Sequence, residues 1–196
     1  MVLLNRIYTR AGDGGTTRLA SGEKVSKASA RVGAYGGVDE LNAVMGLVRL
    51  ETVGDERLDP ILARIQNDLF DLGADLATPA GREGAPEALR IVAPQVEWLE
   101  REIDAFNESL EPLTSFVLPG GARAAAFLHL ARTVCRRAER HAVVFVGVDP
   151  GPHAEALRYL NRLSDLLFVA ARFANARATG DVLWVPAAGR RISDPG

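Results

Sequence analysis

Arg132, Arg136 and Arg140 recur every four residues in Arg132-Thr133-Val134-Cys135-Arg136-Arg137-Ala138-Glu139-Arg140, so a helix stacks them on one face with Glu139 beside them. Like charges at i,i+4 cost an isolated helix roughly 0.2–0.5 kcal/mol per pair, and a bound anion would relieve that repulsion. The alternative is a solvated face on which Glu139 serves as internal counter-ion. A second cationic cluster stands near the N-terminus, in Thr9-Arg10-Ala11-Gly12-Asp13-Gly14-Gly15-Thr16-Thr17-Arg18-Leu19 and on to Lys24 and Lys27. Glycines let backbone N–H groups turn inward, Thr16 and Thr17 add donors, and the cations supply countercharge, a combination suited to a polyphosphate. The G-x-x-x-x-G-K-[ST] spacing is absent and no buried strand feeds the segment, so it is not a Walker loop. Its alternative is a solvated N-terminal arm.

A third set lies in Leu157 to Arg172, which is apolar around most of a helical circumference except for the stripe Asn161, Asp165 and Arg172. Polar groups in such a setting need partners, because an unsatisfied buried group costs about 1–3 kcal/mol. Either an interhelical salt bridge or a ligand fits. Asp39, Glu40 and Asn42 offer further polar groups, and Asp39 could pair with Arg132 across the bundle or across a subunit boundary. His129, His141 and His153 match neither a zinc spacing nor the E-x-x-H pairs of a di-iron bundle, and read as surface or interhelical histidines. No motif points to a Ser-His-Asp or Cys-His nucleophile.

The elements that must position these groups are helical. Apolar residues recur at helical spacing in Ala30 to Leu50, Leu58 to Leu76, a third segment from Glu87 or Pro94 to Asn107, Ala122 to about Val146, and His153 to roughly Thr179. Gly54-Asp55, Thr78-Pro79 with Gly81 and Gly84, and Asp149-Pro150-Gly151-Pro152 punctuate them. Between the third and fourth lies Leu113-Thr114-Ser115-Phe116-Val117-Leu118-Pro119-Gly120-Gly121, an apolar loop with a Pro-Gly-Gly hinge. The expectation is an all-α fold: a five-helix antiparallel bundle with a Gly-rich N-terminal loop. The 196 residues form one domain, divided as a loop over 1–29, a bundle over 30–179 and a tail over 180–196.

A net charge of −2 excludes a general nucleic-acid binder, and no run of about 18 uncharged apolar residues marks a membrane span. Met1 to Asn5 is too short for a signal peptide, and Cys135, the single cysteine, rules out an intrachain disulfide. A soluble cytoplasmic protein is expected.

In these segments the chain resembles the PduO-type ATP:cobalamin adenosyltransferases. The likeness is carried by Tyr8 to Thr17, Lys27, Val38-Asp39-Glu40-Leu41-Asn42-Ala43, Phe116 to Gly121, Cys135 to Arg140, and Leu160 to Asp165. The resemblance implies transfer of the 5′-deoxyadenosyl group of ATP to cob(I)alamin with release of triphosphate, in a homotrimer of helical bundles with active sites between subunits. It assigns Thr9, Arg10, Ala11, Gly12, Thr17, Arg18 and Lys27 to the triphosphate, with Arg136, Arg137, Ala138, Glu139, Arg140 and Asn161 completing the ATP site. Phe116 would crowd the lower face of the corrin and displace its axial base, while Asp39 and Arg132 would form an intersubunit ion pair. Ala11 and Arg18 depart from the family pattern, which has threonine and a small residue there. Mg²⁺ would accompany ATP, a reductase would supply electrons, and an adenosylcobalamin-dependent mutase or hydratase would consume the product. Two other readings are a carrier that holds adenosylcobalamin for such an enzyme, and a purely structural helical oligomer.

Overall fold

The first three helices begin where a side chain or proline accommodates the first turn. The computed structural model describes residues 8–19, 21–79 and 88–188. Helix α1 (Ala30–Leu50) starts at Ser29, whose hydroxyl accepts from the Val32 N–H, and α2 (Leu58–Ala77) follows Asp55, whose carboxylate accepts from the N–H groups of Arg57 and Leu58. Helix α3 (Ala93–Asn107) carries Pro94 in its first turn, and the Gln95 carboxamide reaches back to the Val92 N–H at 3.1 Å. Helices α4 (Arg123–Val148) and α5 (Ala154–Ala176) complete the bundle. Of the two starts that the sequence allowed for the third helix, the one at Pro94 is observed. Glu87, the breakers Gly81 and Gly84, Met1 to Asn5 and the tail beyond residue 188 lie outside the described residues.

Consecutive helices alternate in direction, so α1, α3 and α5 point one way and α2 and α4 the other. Helix α1 packs against α2 and α4, α4 against α5, and α5 against α3. Two odd-numbered helices that touch must therefore run parallel, and α3 does so beside α5: Glu100 meets Arg162 and, farther along both helices, Phe106 meets Phe173. The bundle is antiparallel except at that seam. Its core is filled by side chains at the i, i+3, i+4 positions of each helix, among them Leu41, Leu69, Leu72, Leu99, Phe145 and Leu163, all at most 1% exposed. Two buried carboxylates, Asp68 and Asp75, gather polar partners from several elements. Tyr159 donates to Asp68 at 3.1 Å, and the other Asp68 oxygen accepts from Gln95 at 2.9 Å, which ties α2, α3 and α5 together. Asp75 accepts from Arg90 at 2.8 Å and from the Ile91 N–H at 2.9 Å, and His153 Nδ1 lies 2.8 Å from its carboxylate.

The Gly-rich N-terminal segment contains a short hairpin. Strands β1 (Thr16–Arg18) and β2 (Lys24–Ser26) pair antiparallel, with Thr17 opposite Val25. Gly15 and Gly22 take φ of +77° and +83°, which L side chains rarely adopt, and flank the hairpin where the chain reverses. The Lys27 N–H donates to the Gly15 carbonyl at 2.9 Å, and Leu19 is buried as its apolar anchor.

Candidate functional site

Helix α4 presents the faces that its spacing implies. Ala131, Val134, Ala138 and Phe145 are buried, while Arg132, Arg136, Glu139 and Arg140 keep contact with solvent. Arg132 and Arg136 line a cavity of about 560 Å³ with Leu113, Arg162, Asp165 and Phe168. Two other arginines at this cavity are already neutralised: Arg162 donates to Glu100 at 2.7 Å and Arg172 to Asp181 at 2.8 Å. Among the described residues, Arg132 and Arg136 have no carboxylate partner, and Arg132 Nε is buried without any hydrogen bond. Burial, and then the neighbouring Arg136 charge, hold the Arg132 pKa below its ordinary value. Two guanidinium groups without ion-pair partners in a part-buried cavity have the electrostatics of an anion site. Across the same cavity, burial raises the Asp165 pKa against the opposing pull of Arg162 and Arg136.

Asn161 joins this face. Its Nδ2 donates to Glu139 at 3.0 Å and its Oδ1 accepts from Arg162 at 2.9 Å, which aligns α5 with the arginine face of α4. Four of the assigned residues stand outside the lining of that cavity. Ala138 is buried against α1, and a methyl built on Gly37 would lie 3.3 Å from its Cα, so its side chain cannot meet a ligand. Arg137 pairs with Glu40 at 2.6 Å, and Arg140 donates to the carbonyl of Arg136 at 3.1 Å. Asp39 does not pair with Arg132 within the chain; it lines a separate groove of about 370 Å³ between α1 and α2 with Tyr35, Phe70 and Gly73.

The hairpin holds its own cavity of about 600 Å³, lined by Thr9, Ala11, Gly12, Thr16, Thr17, Arg18, Lys24 and Lys27. Among the described residues no carboxylate is in that lining, so the cations can meet an anion. Arg10 adjoins it with φ +61°, an uncommon conformation for a residue with a Cβ, and its guanidinium lies 5.8 Å from the Tyr8 ring centre. A methyl at Gly12 would stand 3.1 Å from Lys27 Nζ and 3.3 Å from the Thr16 carbonyl oxygen. The first atom can move and the second cannot. Gly12→Ala should therefore displace the Lys27 ammonium and raise Kd for a polyphosphate about tenfold, ~1.4 kcal/mol, with an unchanged thermal transition. Titration of inorganic triphosphate into both proteins checks this.

Phe116 is 77% exposed on the loop whose Leu113 lines the first cavity. On α4, His129 is 1% exposed, packs 6.2 Å from the Phe168 ring and leaves both ring nitrogens without partners. Burial first, and then Arg132, push its pKa below the ordinary value, partly offset by Asp181. The unfolded chain takes up a proton near pH ~6.5 where the folded one does not, so stability is lost as pH falls from there through the depressed folded pKa. His129→Gln should flatten that acid loss; denaturation midpoints at neutral and mildly acidic pH measure it. His153 is likewise buried and interhelical, whereas His141 is exposed.

Among the described residues no cluster of His, Cys, Asp or Glu could hold a metal ion, and no helix is long and apolar enough to cross a membrane. Phe168, Arg162 and Leu113 were not singled out from sequence. Phe168 follows Asn161 by seven residues, on the same face as Asp165 and Arg172, but its apolar character reads as core.

A helical bundle that carries a cationic glycine hairpin and an unneutralised arginine face belongs to the class of proteins that bind polyanionic ligands by means of a fixed scaffold. Comparison with known proteins narrows this. Residues 7–174 match the family described as Cobalamin adenosyltransferase. The chain is 48% identical to a corrinoid adenosyltransferase of Mycobacterium tuberculosis over 193 residues, 98% of this chain and 99% of that protein. It is 44% identical to that of Bacillus subtilis over 181 residues, 90% of this chain and 91% of the other. Among solved structures, it superposes with a TM-score of 0.83 on a phenylalanine-to-histidine variant of a PduO-type ATP:corrinoid adenosyltransferase from Lactobacillus reuteri complexed with cobalamin and ATP, at 39% identity, covering 92% of this chain and 97% of that one. This chain belongs to the cobalamin adenosyltransferase family, and its five-helix bundle is the fold of those transferases.

Proposed function

We propose that the chain transfers the 5′-deoxyadenosyl group of ATP to cob(I)alamin, giving adenosylcobalamin and triphosphate. Family membership supports the reaction. The structural observation that carries it is the pair Arg132 and Arg136, which line one cavity and form no ion pair with any carboxylate among the described residues. In the transfer, the electron pair of cob(I)alamin forms the cobalt–C5′ bond as the C5′–O5′ bond breaks, and triphosphate leaves with the bonding pair. No proton need move, and no Ser or Cys nucleophile is required. The protein's share is orientation and charge. Arg136 and the hairpin cations Arg18 and Lys27 stabilise the leaving triphosphate, the Thr9–Gly12 turn and Thr17 supply donors, and Glu139 and Asn161 hold the nucleoside end. Arg10 and Arg140 add countercharge at the margins. Phe116 acts earlier, by opposing an axial ligand on cob(II)alamin so that a four-coordinate, more readily reduced substrate forms.

We infer that the active unit is a homotrimer with each site shared between subunits. Two observations support this: the hairpin cavity and the arginine cavity have no lining residue in common, and Arg132 Nε and Asp39 each lack a partner within the described chain. An Asp39–Arg132 pair across the boundary would satisfy both. Mg²⁺ would enter as a counter-ion of the phosphates, since among the described residues the hairpin lining holds no carboxylate to bind it. In the same reading the chain acts as one domain in the cytoplasm, with loop 1–29, bundle 30–179 and tail 180–196, drawing electrons from a reductase and supplying a mutase or hydratase. Anaerobic incubation with chemically reduced cobalamin and ATP tests the central claim. Many turnovers with equimolar triphosphate are expected; a single stoichiometric burst would instead mark a carrier.

A further inference from the structure

The loop that bears Phe116 is one half of a clasp. The Trp184 N–H donates to the Phe116 carbonyl and the Leu118 N–H to the Val182 carbonyl, each at 2.7 Å, while Val117 and Leu183 pair as an antiparallel bridge. The Ser115 hydroxyl donates to the Trp184 carbonyl at 2.7 Å. So short a two-stranded pairing is marginal by itself in water. The end of α5 anchors it. Asn175 is fully buried; its Oδ1 accepts from the Ala122 N–H at 2.9 Å and its Nδ2 donates to the Gly120 carbonyl at 3.1 Å, so one carboxamide grips both sides of Gly121. Gly121 has φ +96°, and the Asn175 oxygen occupies the space a Cβ would need. Arg172 donates to Asp181 and to the Glu111 carbonyl, both at 2.8 Å, joining the start of the tail to the start of the loop. With both ends fixed, the Trp184 indole meets the Phe116 ring edge-on, centroids 5.9 Å apart at 63°.

We propose that Trp184 is a positioning residue for this reaction, holding the Phe116 ring in the direction from which it opposes an axial ligand on cob(II)alamin. The inference rests on the wedge reading of Phe116. A phenyl ring that is 77% exposed has little else to select its rotamer, and every unproductive rotamer lowers the competent fraction of the protein in proportion. An edge-to-face neighbour selects one orientation. Trp184 is not in the lining of either cationic cavity, so it acts through Phe116.

The test compares Trp184→Ala, Trp184→Phe and Phe116→Ala in the full chain, with ATP and cob(II)alamin under anaerobic conditions. Three readouts are taken: the four-coordinate cob(II)alamin signal, the Kd for ATP and the thermal transition. Trp184→Ala should lose about half or more of the four-coordinate signal while Kd stays within about twofold, and Trp184→Phe should restore most of it. A full signal in Trp184→Ala alongside a lost signal in Phe116→Ala overturns the positioning role and leaves the wedge intact. A full signal in both removes the wedge itself. If Trp184→Ala weakens ATP binding and lowers the thermal transition together with the signal, the indole serves folding and the proposal fails.

Discussion

Arg136→Ala should lower kcat of adenosyl transfer by roughly 10²–10³-fold, the usual consequence of removing one positioned donor from developing negative charge. The same change should leave the fold as stable as before, or slightly more so. Arg136 is exposed, it has no carboxylate partner among the described residues, and its charge opposes that of Arg132. Truncating it relieves a like-charge contact worth about 0.2–0.5 kcal/mol and leaves no buried group unpaired. A structural arginine behaves in the opposite way. Arg172→Ala would strand Asp181 and the Glu111 carbonyl and should cost stability first. Arg136→Lys separates charge from shape, because an ammonium keeps the positive charge but loses the planar fork that engages two phosphate oxygens. Partial recovery is expected. Steady-state kinetics with ATP, paired with thermal unfolding of each variant, gives both halves of the comparison; near-normal turnover by Arg136→Ala would remove this face from the reaction.

The sequence conveys the helices better than the hairpin, for a physical reason. A 21-residue helix such as α1 repeats its apolar period several times, whereas β1 and β2 have three residues each, Thr-Thr-Arg and Lys-Val-Ser, too few to display a period of two. Their pairing depends on backbone hydrogen bonds and positive-φ glycines, which composition does not reveal. The arginine face of α4 was legible because helical spacing alone defines it. Arg137 was not separable from Arg136, since its partner Glu40 is brought to it only by the packing of α1 on α4. The polar stripe of α5 was visible, but its members divide by partner: Asn161 aligns the site, while Arg172 secures the tail. Asn175 had no local signal at all. Its duty is defined by Gly120 and Ala122, more than fifty residues earlier in the chain.

Phe116→Ala should leave ATP binding within about twofold of the parent while slowing adenosylation from cob(II)alamin by roughly tenfold or more, ~1.4 kcal/mol of barrier. The two effects separate because the ring and the cations stand on different elements. Phe116 lines neither the hairpin cavity nor the arginine cavity, and its aromatic contact is with Trp184. Losing that contact costs about 0.5–1.5 kcal/mol at most, and the side chain is already largely exposed, so the fold survives. Leu118, Trp184 and Val185 are exposed on the same loop and the tail strand paired with it, an apolar surface that suits an apolar ligand. In the proposed reading that ligand is the face of a corrin, where an apolar surface would exclude water and discourage a polar axial base at cobalt. That role ends once cob(I)alamin has formed, since the reduced metal centre has little affinity for an axial ligand. The defect should therefore shrink sharply when cobalamin is supplied already reduced by a chemical donor. A deficit of equal size with both oxidation states would place Phe116 in substrate binding and not in the reduction step.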